Sequence, residues 1–265
     1  MNVASATLQQ GFQGLRVMVT AGASGIGLAI AQAFAQAGAR VQVSDLSVEA
    51  LQAALPTLPG GGGWCMDASQ PGDVDAWFAH ALEVLGGLDV LVNNVGIAGP
   101  TSRIEDIEPH EWDETLAVNL RSQYLCVRRA VPALRDSDCA TIINLSSVAG
   151  RLGYPLRTPY AASKWAVIGL TQSLALELGD DDITVNAILP GIVDSERSRS
   201  VTAAKARARQ ISEAEMLQEI LENVALHRKV PLADVADTAL FLASRAGRSF
   251  TGQSLNVCAG IQSLR

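Results

Sequence analysis

Short apolar runs and longer amphipathic runs alternate along nearly the whole of this 265-residue chain, and that rhythm constrains its fold more than any single motif. Leu15 to Thr20, Arg40 to Ser44, Trp64 to Met66, Asp89 to Asn93, Thr141 to Leu145, Ile183 to Leu189 and Ser254 to Val257 read as strands. Between them, Gly25 to Ala37, Val48 to Leu55, Val74 to Leu85, Glu111 to Leu134, Ala161 to Leu178 and Val235 to Ala243 read as helices. Gly38 closes the first helix, Pro56 ends the second, and the Gly60 to Gly63 run is expected to be a loop. Repeated strand–helix–strand units make right-handed crossovers, which lay the strands parallel. Uninterrupted apolar strands such as Val90-Leu91-Val92 suit a sheet covered on both faces. The expected fold class is therefore α/β, a doubly wound parallel sheet with helices on both faces. Such a sheet takes its ligands beyond the carboxyl ends of its strands.

One stretch breaks the rhythm. About 40 residues between Pro190 and Pro231 carry no strand signal, while Ser200 to Gln210 and Glu213 to Ala225 read as helices. An insertion of that length beside a site commonly serves as a lid or a pocket wall. A packing appendage is the bland alternative. The chain is thus divided into a poorly ordered tail, 1–10, and one catalytic domain, 11–265, with 192–230 as a substrate-binding insertion.

Composition sets the outer limits. Apolar residues make up 48% and charged residues 18%, enough for a large core. A net charge of −7 disfavours nucleic acid or an anionic membrane as partner. No run of about 18 apolar residues and no basic-then-apolar leader is present, so the expected location is the cytoplasm. Cys65, Cys126, Cys139 and Cys258 form no CxxC pair and are expected to be buried, reduced thiols. His80, His110 and His227 are equally scattered, so no metal site is expected.

The segment Thr20-Ala21-Gly22-Ala23-Ser24-Gly25-Ile26-Gly27 joins the first strand to the first helix. Its glycines let backbone N–H groups approach a pyrophosphate, and the helix N-terminus adds partial positive charge. Strand before and helix after supply the context that a bare glycine cluster lacks. Asp45 ends the second strand, 18 residues after Gly27, where a carboxylate can accept both hydroxyls of an adenosine ribose. It would repel a 2′-phosphate, and neither Ser24, Leu46 nor Ser47 offers a cation to attract one. NAD is expected rather than NADP. Asp67, after the third strand, is placed to reach the adenine amino group, although an Asp capping the Gln70–Asp73 turn would look the same.

Tyr160 and Lys164 stand four apart at a helix start and so share a face. An adjacent ammonium stabilises a phenolate, which can then exchange a proton with a substrate oxygen while hydride moves at the neighbouring carbon. Ser146-Ser147 ends the fifth strand and Asn93-Asn94-Val95-Gly96 the fourth. Asn119, in the long helix, could anchor a water beside Lys164 or simply satisfy a backbone group.

Together these segments resemble the short-chain dehydrogenase/reductase family from about Leu15 to Gly260. The markers are TAGASGIG at 20–27, NNVG at 93–96, VNL at 118–120, NLSS at 144–147, YAASK at 160–164 and PG at 190–191. The resemblance implies a Rossmann-type fold. It implies that Ser147 is the catalytic serine, Tyr160 the acid/base, Lys164 the residue that holds the nicotinamide ribose and tunes the tyrosine, and Asn119 the proton-relay asparagine. It places Gly22, Ser24, Gly25, Ile26 and Gly27 at the phosphate turn, with Asp45, Leu46, Asp67 and Ala68 around the adenosine. Asn93, Val95 and Gly96 would flank the nicotinamide ribose. Pro190, Gly191, Ile192, Val193 and Ser195 would border the nicotinamide. Ala21, Val95 and Ser195 stand where the family usually has Gly, Ala and Thr. An alanine at 21 is expected to keep that turn out of the left-handed region. The resemblance also implies a homotetramer.

The implied function is hydride transfer between nicotinamide and a secondary alcohol or its ketone, with polyols, sugars and hydroxy acids as the substrate classes. NAD would favour oxidation. Arg151 and Arg157, ahead of Tyr160, together with the arginines of the insertion, raise an anionic substrate as one hypothesis. A solvated basic helix face together with structural arginines is the other. A 3-oxoacyl thioester reductase and a non-catalytic NAD-binding scaffold are the rival functions.

Overall fold

In the computed structural model, which describes residues 11–262, seven strands form one parallel sheet. They are β1 (Arg16–Thr20), β2 (Arg40–Asp45), β3 (Gly62–Cys65), β4 (Val90–Asn93), β5 (Thr141–Leu145), β6 (Thr184–Pro190) and β7 (Ser254–Val257). Their order is β3-β2-β1-β4-β5-β6-β7. The direction of winding reverses between β1 and β4, and that reversal opens a crevice at their carboxyl ends. Residues 1–10, read above as a tail, lie outside the described residues.

Alternation along the strands sends side chains into two cores. Val17, Val19, Val41 and Val43 face α1 (Gly25–Gln36) and α9 (Leu232–Ala243), burying Ile30, Phe34, Val235 and Leu242 between them. Met18, Leu91, Ile142 and Val185 point the other way, toward α3 (Pro71–Leu85), α5 (Ser122–Leu134) and α6 (Thr158–Glu177), with Trp77, Phe78 and Leu134 packed against them. The remaining α-helices are α2 (Val48–Ala54), α4 (Pro109–Leu116), α7 (Glu196–Arg209) and α8 (Glu213–Glu222). The sheet therefore has helices on both faces, in a single domain.

The structure departs from the sequence reading in detail. Gly62 and Gly63 are strand, not loop, because their backbones pair with Gln42 and Val43. A Cβ on Gly62 would meet the end of the Gln42 side chain, which would have to turn aside. The long helix is interrupted between α4 and α5 by a wider π turn over Ala117–Arg121. Of the four cysteines only Cys126 is buried; Cys65 is exposed, and Cys139 and Cys258 are half-buried free thiols. No helix among the described residues is long and apolar enough to cross a membrane.

The insertion carries α7 and α8, as its helical periodicity implies. Its two ends meet: Val193 pairs with Val230, Asp194 N–H donates to Val230 O (2.9 Å), and Val230 N–H donates to Ile192 O (2.8 Å). The chain after β7 then closes over the insertion's exit, with Val224 paired antiparallel to Ile261.

Candidate active site

The first βα turn is built as a cradle. A Cβ on Gly27 would fall 2.2 Å from Ala21 O and 2.4 Å from Asn94 Nδ2, and one on Gly22 would fall 2.7 Å from the Val43 side chain. Only glycine lets α1 start this close to β1. Gly25 takes φ +52° with open space beside it. Ser24 caps α1 without a side-chain hydrogen bond, and the first turn holds no acidic residue. The leading N–H groups are thus left to an external anion. Asp45 closes the cradle: its Oδ2 accepts from Ala23 N–H (3.2 Å) and its Oδ1 from Ser47 N–H (3.2 Å). Leu46 follows it with 72% of its surface exposed, an apolar platform beside the carboxylate. These residues suit a dinucleotide, with the pyrophosphate at α1 and the adenosine at Asp45.

Ala21 corrects the expectation made for it. Its φ is +48°, inside the left-handed region. The turn needs that conformation whichever residue occupies it, and Asn94 locks it by donating from Nδ2 to Thr20 O (3.2 Å) and Ala21 O (3.0 Å). Asn94 N–H also donates to Thr20 Oγ1 (2.9 Å). Sequence reasoning singled out Asn93 and passed over Asn94. Asn93 is buried and donates to Asn144 Oδ1 (2.9 Å), bracing β4 to β5, while Asn94 lines the cavity. Adjacent asparagines on a strand point to opposite sides, and that alternation was the available signal.

Asp67 is engaged in its own turn. Its Oδ1 accepts from Ser69 N–H (2.8 Å), and its N–H donates to Asp73 Oδ2 (3.0 Å). Burial pushes this carboxyl up, but the bonds from Ser69 outweigh it and hold it below the usual range.

A cavity of about 140 Å³ lies beyond the carboxyl ends of β4, β5 and β6. Ile26, Ser147, Tyr160, Lys164, Pro190, Gly191, Ile192, Val193 and Ser195 all line it, so four separate segments of sequence converge there. Tyr160 stands in the first turn of α6, just after Pro159, whose fixed φ and missing N–H suit a helix's first turn. Lys164, one turn on, is buried, and its Nζ lies 5.8 Å from the centre of the Tyr160 ring. Its Nζ donates to Leu145 O (2.8 Å). Burial, and secondarily the charge of Arg197, pulls the Lys164 ammonium down to about 7. Ser146 ties the same helix to β5 by donating from Oγ to Lys164 O (2.7 Å). Ser147 faces the cavity, its Oγ accepting from Ala149 N–H (3.2 Å).

Asn119 sits in the π turn with no exposed surface. Its Oδ1 accepts from Ile97 N–H (2.7 Å), and its Nδ2 donates to Ile97 O (3.1 Å) and Ser163 Oγ (3.0 Å). Its side-chain bonds go to the Ile97 backbone and to Ser163. It pins the segment after β4 against α6, at Ser163 beside Lys164.

The two arginines ahead of Tyr160 part company. Arg151 is exposed and lies outside the cavity lining. Arg157 is 98% buried and lines it, which its place in a connecting loop did not foretell. Arg197, one of the insertion's arginines, lines it too, and Tyr154 and Ser198 also line the cavity and were missed, since only the fold brings the insertion to this wall. Several insertion charges do form a solvated face: Arg209 pairs with Glu219, and Arg199 lies 3.8 Å from Asp194.

Comparison with known proteins agrees with this geometry. The chain matches the family described as enoyl-(acyl carrier protein) reductase over residues 20–262. It is 31% identical over 250 residues to D-beta-hydroxybutyrate dehydrogenase of Rhizobium meliloti, covering 92% of this chain and 96% of that one. It is 33% identical over 249 residues to a 3-oxoacyl-[acyl-carrier-protein] reductase of Staphylococcus aureus, with 92% and 96% covered. An actinorhodin polyketide ketoreductase crystallised with NADPH superposes with a TM-score of 0.90 at 30% identity, over 96% of this chain and 98% of that one. With its parallel sheet, glycine cradle and Tyr–Lys pair, the chain belongs to the short-chain dehydrogenase/reductase family of oxidoreductases, whose members use a nicotinamide cofactor.

Proposed function

We propose that this protein oxidises a secondary alcohol with NAD, Tyr160 taking the hydroxyl proton. The observation that carries the reading is the convergence of Ser147, Tyr160 and Lys164 on one cavity that reaches Ile26 and Asn94 at the edge of the glycine cradle. When bound, the nicotinamide supplies a two-electron hydride acceptor. The carbinol C–H bond breaks as hydride leaves, the O–H proton passes to Tyr160 Oη and on to solvent, and the carbon becomes a carbonyl. Ser147 offers a hydroxyl to the substrate oxygen. Lys164 supplies positive charge beside the phenol ring, favouring the phenolate. Asn119 keeps the segment after β4 fixed against α6, so the wall opposite Tyr160 does not drift.

Asp45 supports NAD over NADP, because a 2′-phosphate at that carboxylate would meet like charge. The NADPH bound by the actinorhodin ketoreductase belongs to that protein and makes the point worth testing. Reduction of a 3-oxoacyl thioester is the second reading, favoured by the name of the S. aureus relative. Residues 192–230 are assigned to substrate binding, and the enzyme is proposed to act in the cytoplasm as a homotetramer.

The test is a panel of polyols, sugars, hydroxy acids and thioester-derived alcohols, followed by NADH absorbance with either cofactor. Tyr160→Phe should lower kcat by about 10²- to 10⁴-fold on any substrate found. Asp45→Ala should raise the NADP-to-NAD ratio of kcat/KM by about tenfold or more. Undiminished turnover by Tyr160→Phe, or an unmoved ratio, would refute the corresponding assignment.

A further inference from the structure

The cavity is unusual in its charge. The chain carries a net −7, yet its lining contains Arg157, Lys164 and Arg197 and not one Asp or Glu among the described residues. Lys164 has a role beside the tyrosine. Arg157 has none so far. It is 98% buried, and the described residues offer it no carboxylate within ion-pairing distance. Its Nε (3.1 Å) and Nη2 (2.5 Å) both donate to Ala98 O, which fixes the plane of the guanidinium, while Nη1 has no hydrogen-bond partner. Aromatic faces cover part of the charge: the guanidinium carbon lies 4.9 Å from the centre of the Tyr160 ring and 5.3 Å from that of Tyr154.

Lys205 of α7 lies against the same tyrosine, its Nζ 4.5 Å from the centre of the Tyr154 ring. Burial first, and then the charges of Arg157 and Arg209, bring that ammonium down to about 8. Two buried cations thus lie against one tyrosine of the cavity wall. A buried guanidinium with an unused donor is costly unless an anion completes it.

We infer that the substrate is a short hydroxy acid, its carboxylate received at Nη1 of Arg157 while its carbinol lies against Tyr160. This rests on the hydride-transfer reading above and narrows it. The guanidinium carbon lies 4.9 Å from the centre of the catalytic ring, so a short acid is the class that can reach both groups. The carboxylate keeps its charge and bonds throughout; only the carbinol carbon is oxidised. Sugars and polyols, which are neutral, leave Nη1 unpaired and are poor substrates on this view.

The experiment compares each of several 2- and 3-hydroxy acids with its methyl ester, in wild-type protein and in Arg157→Gln and Arg157→Lys. Wild type should favour the acid over its ester by about 10- to 100-fold in kcat/KM, the size of a charge-assisted hydrogen bond. Arg157→Gln should erase that preference, and Arg157→Lys should keep part of it. Dissociation constants for NADH, from quenching of protein fluorescence, are measured on the same three proteins. Equal use of acid and ester by wild type overturns the inference, as does a preference that survives Arg157→Gln. A loss of NADH affinity in Arg157→Gln with the preference intact would assign the guanidinium to a cofactor phosphate and would equally overturn it. If no alcohol on the panel reduces NAD, the underlying reading has failed. If neutral alcohols do so as well as acids, only this inference has.

Discussion

At the scale of single residues, backbone strain and buried charge mark the site. Ala21 holds a left-handed φ at the turn where pyrophosphate is expected, and a Cβ in that region costs roughly 1–2 kcal/mol. Glycine would remove the strain while adding about 0.5–1 kcal/mol of unfolded-state entropy. Ala21→Gly is therefore expected to stabilise the protein by up to about 1 kcal/mol, read as a rise in Tm of a few degrees by calorimetry. A fall in Tm would mean that the turn relaxes around the alanine. Residues of this kind are hidden from sequence reading, which treated alanine as a bar to the left-handed region. The chain imposes the conformation from outside, through Asn94 bonded to the Ala21 carbonyl.

At the scale of elements, side chains at the amino ends of strands tie the sheet's two halves together. Asp89, just before β4, receives the Arg16 backbone N–H (2.8 Å), Nε (2.9 Å) and Nη2 (2.6 Å), and Ser137 Oγ (2.7 Å). Burial drives this carboxyl up, but the Arg16 and Ser137 bonds outweigh burial and hold it below the ordinary aspartate range. A lowered native pKa means stability that is fully present above the unfolded value near 4 and lost as pH falls through the native value. Asp89→Asn should cost about 2 kcal/mol at pH 7 and flatten the acid limb of a urea-midpoint profile below pH 4. A parallel loss at every pH would show that the charge is not the source. Helices and strands were themselves legible, because periods of 3.6 and 2 are imposed by burial on one face or two. The ends of β3 and the π turn were not. Gly62 and Gly63 have no side chains to carry a period, and a π turn adds one residue without changing the apolar pattern. The catalytic motifs were readable because each falls at a strand end or helix start. Arg157 stood out in the sequence as a candidate for an anionic substrate, but its burial and that of Lys205 were not legible, since they depend on how the insertion folds back onto the loop before α6.

At the scale of the whole molecule, apolar surface remains where the two long helices face outward. Tyr124 on α5, and Trp165 and Leu176 on α6, are 51%, 52% and 87% exposed. Burying such side chains against another copy would gain about 25 cal/mol per Å² of apolar surface. The proposed homotetramer accounts for them. Trp165→Glu together with Leu176→Asp should then halve or quarter the mass seen by light scattering on a sizing column, while the circular dichroism of the fold is retained. An unchanged tetrameric mass would place the contacts elsewhere, and a monomeric wild type would remove the proposal.

The joined ends of the insertion have an evolutionary consequence. Residues 194–229 leave and re-enter the domain through a neck closed by the pairing of Val193 with Val230. Whatever lies between, the sheet meets the same two backbones at the same spacing. Loop closure grows by only about 0.6 kcal/mol for each doubling of length, so segments of very different size can hang from that neck. A lineage can exchange the wall that recognises its substrate as a cassette, leaving the cradle and the tyrosine untouched. Grafting this 36-residue stretch onto a relative tests whether specificity travels with it.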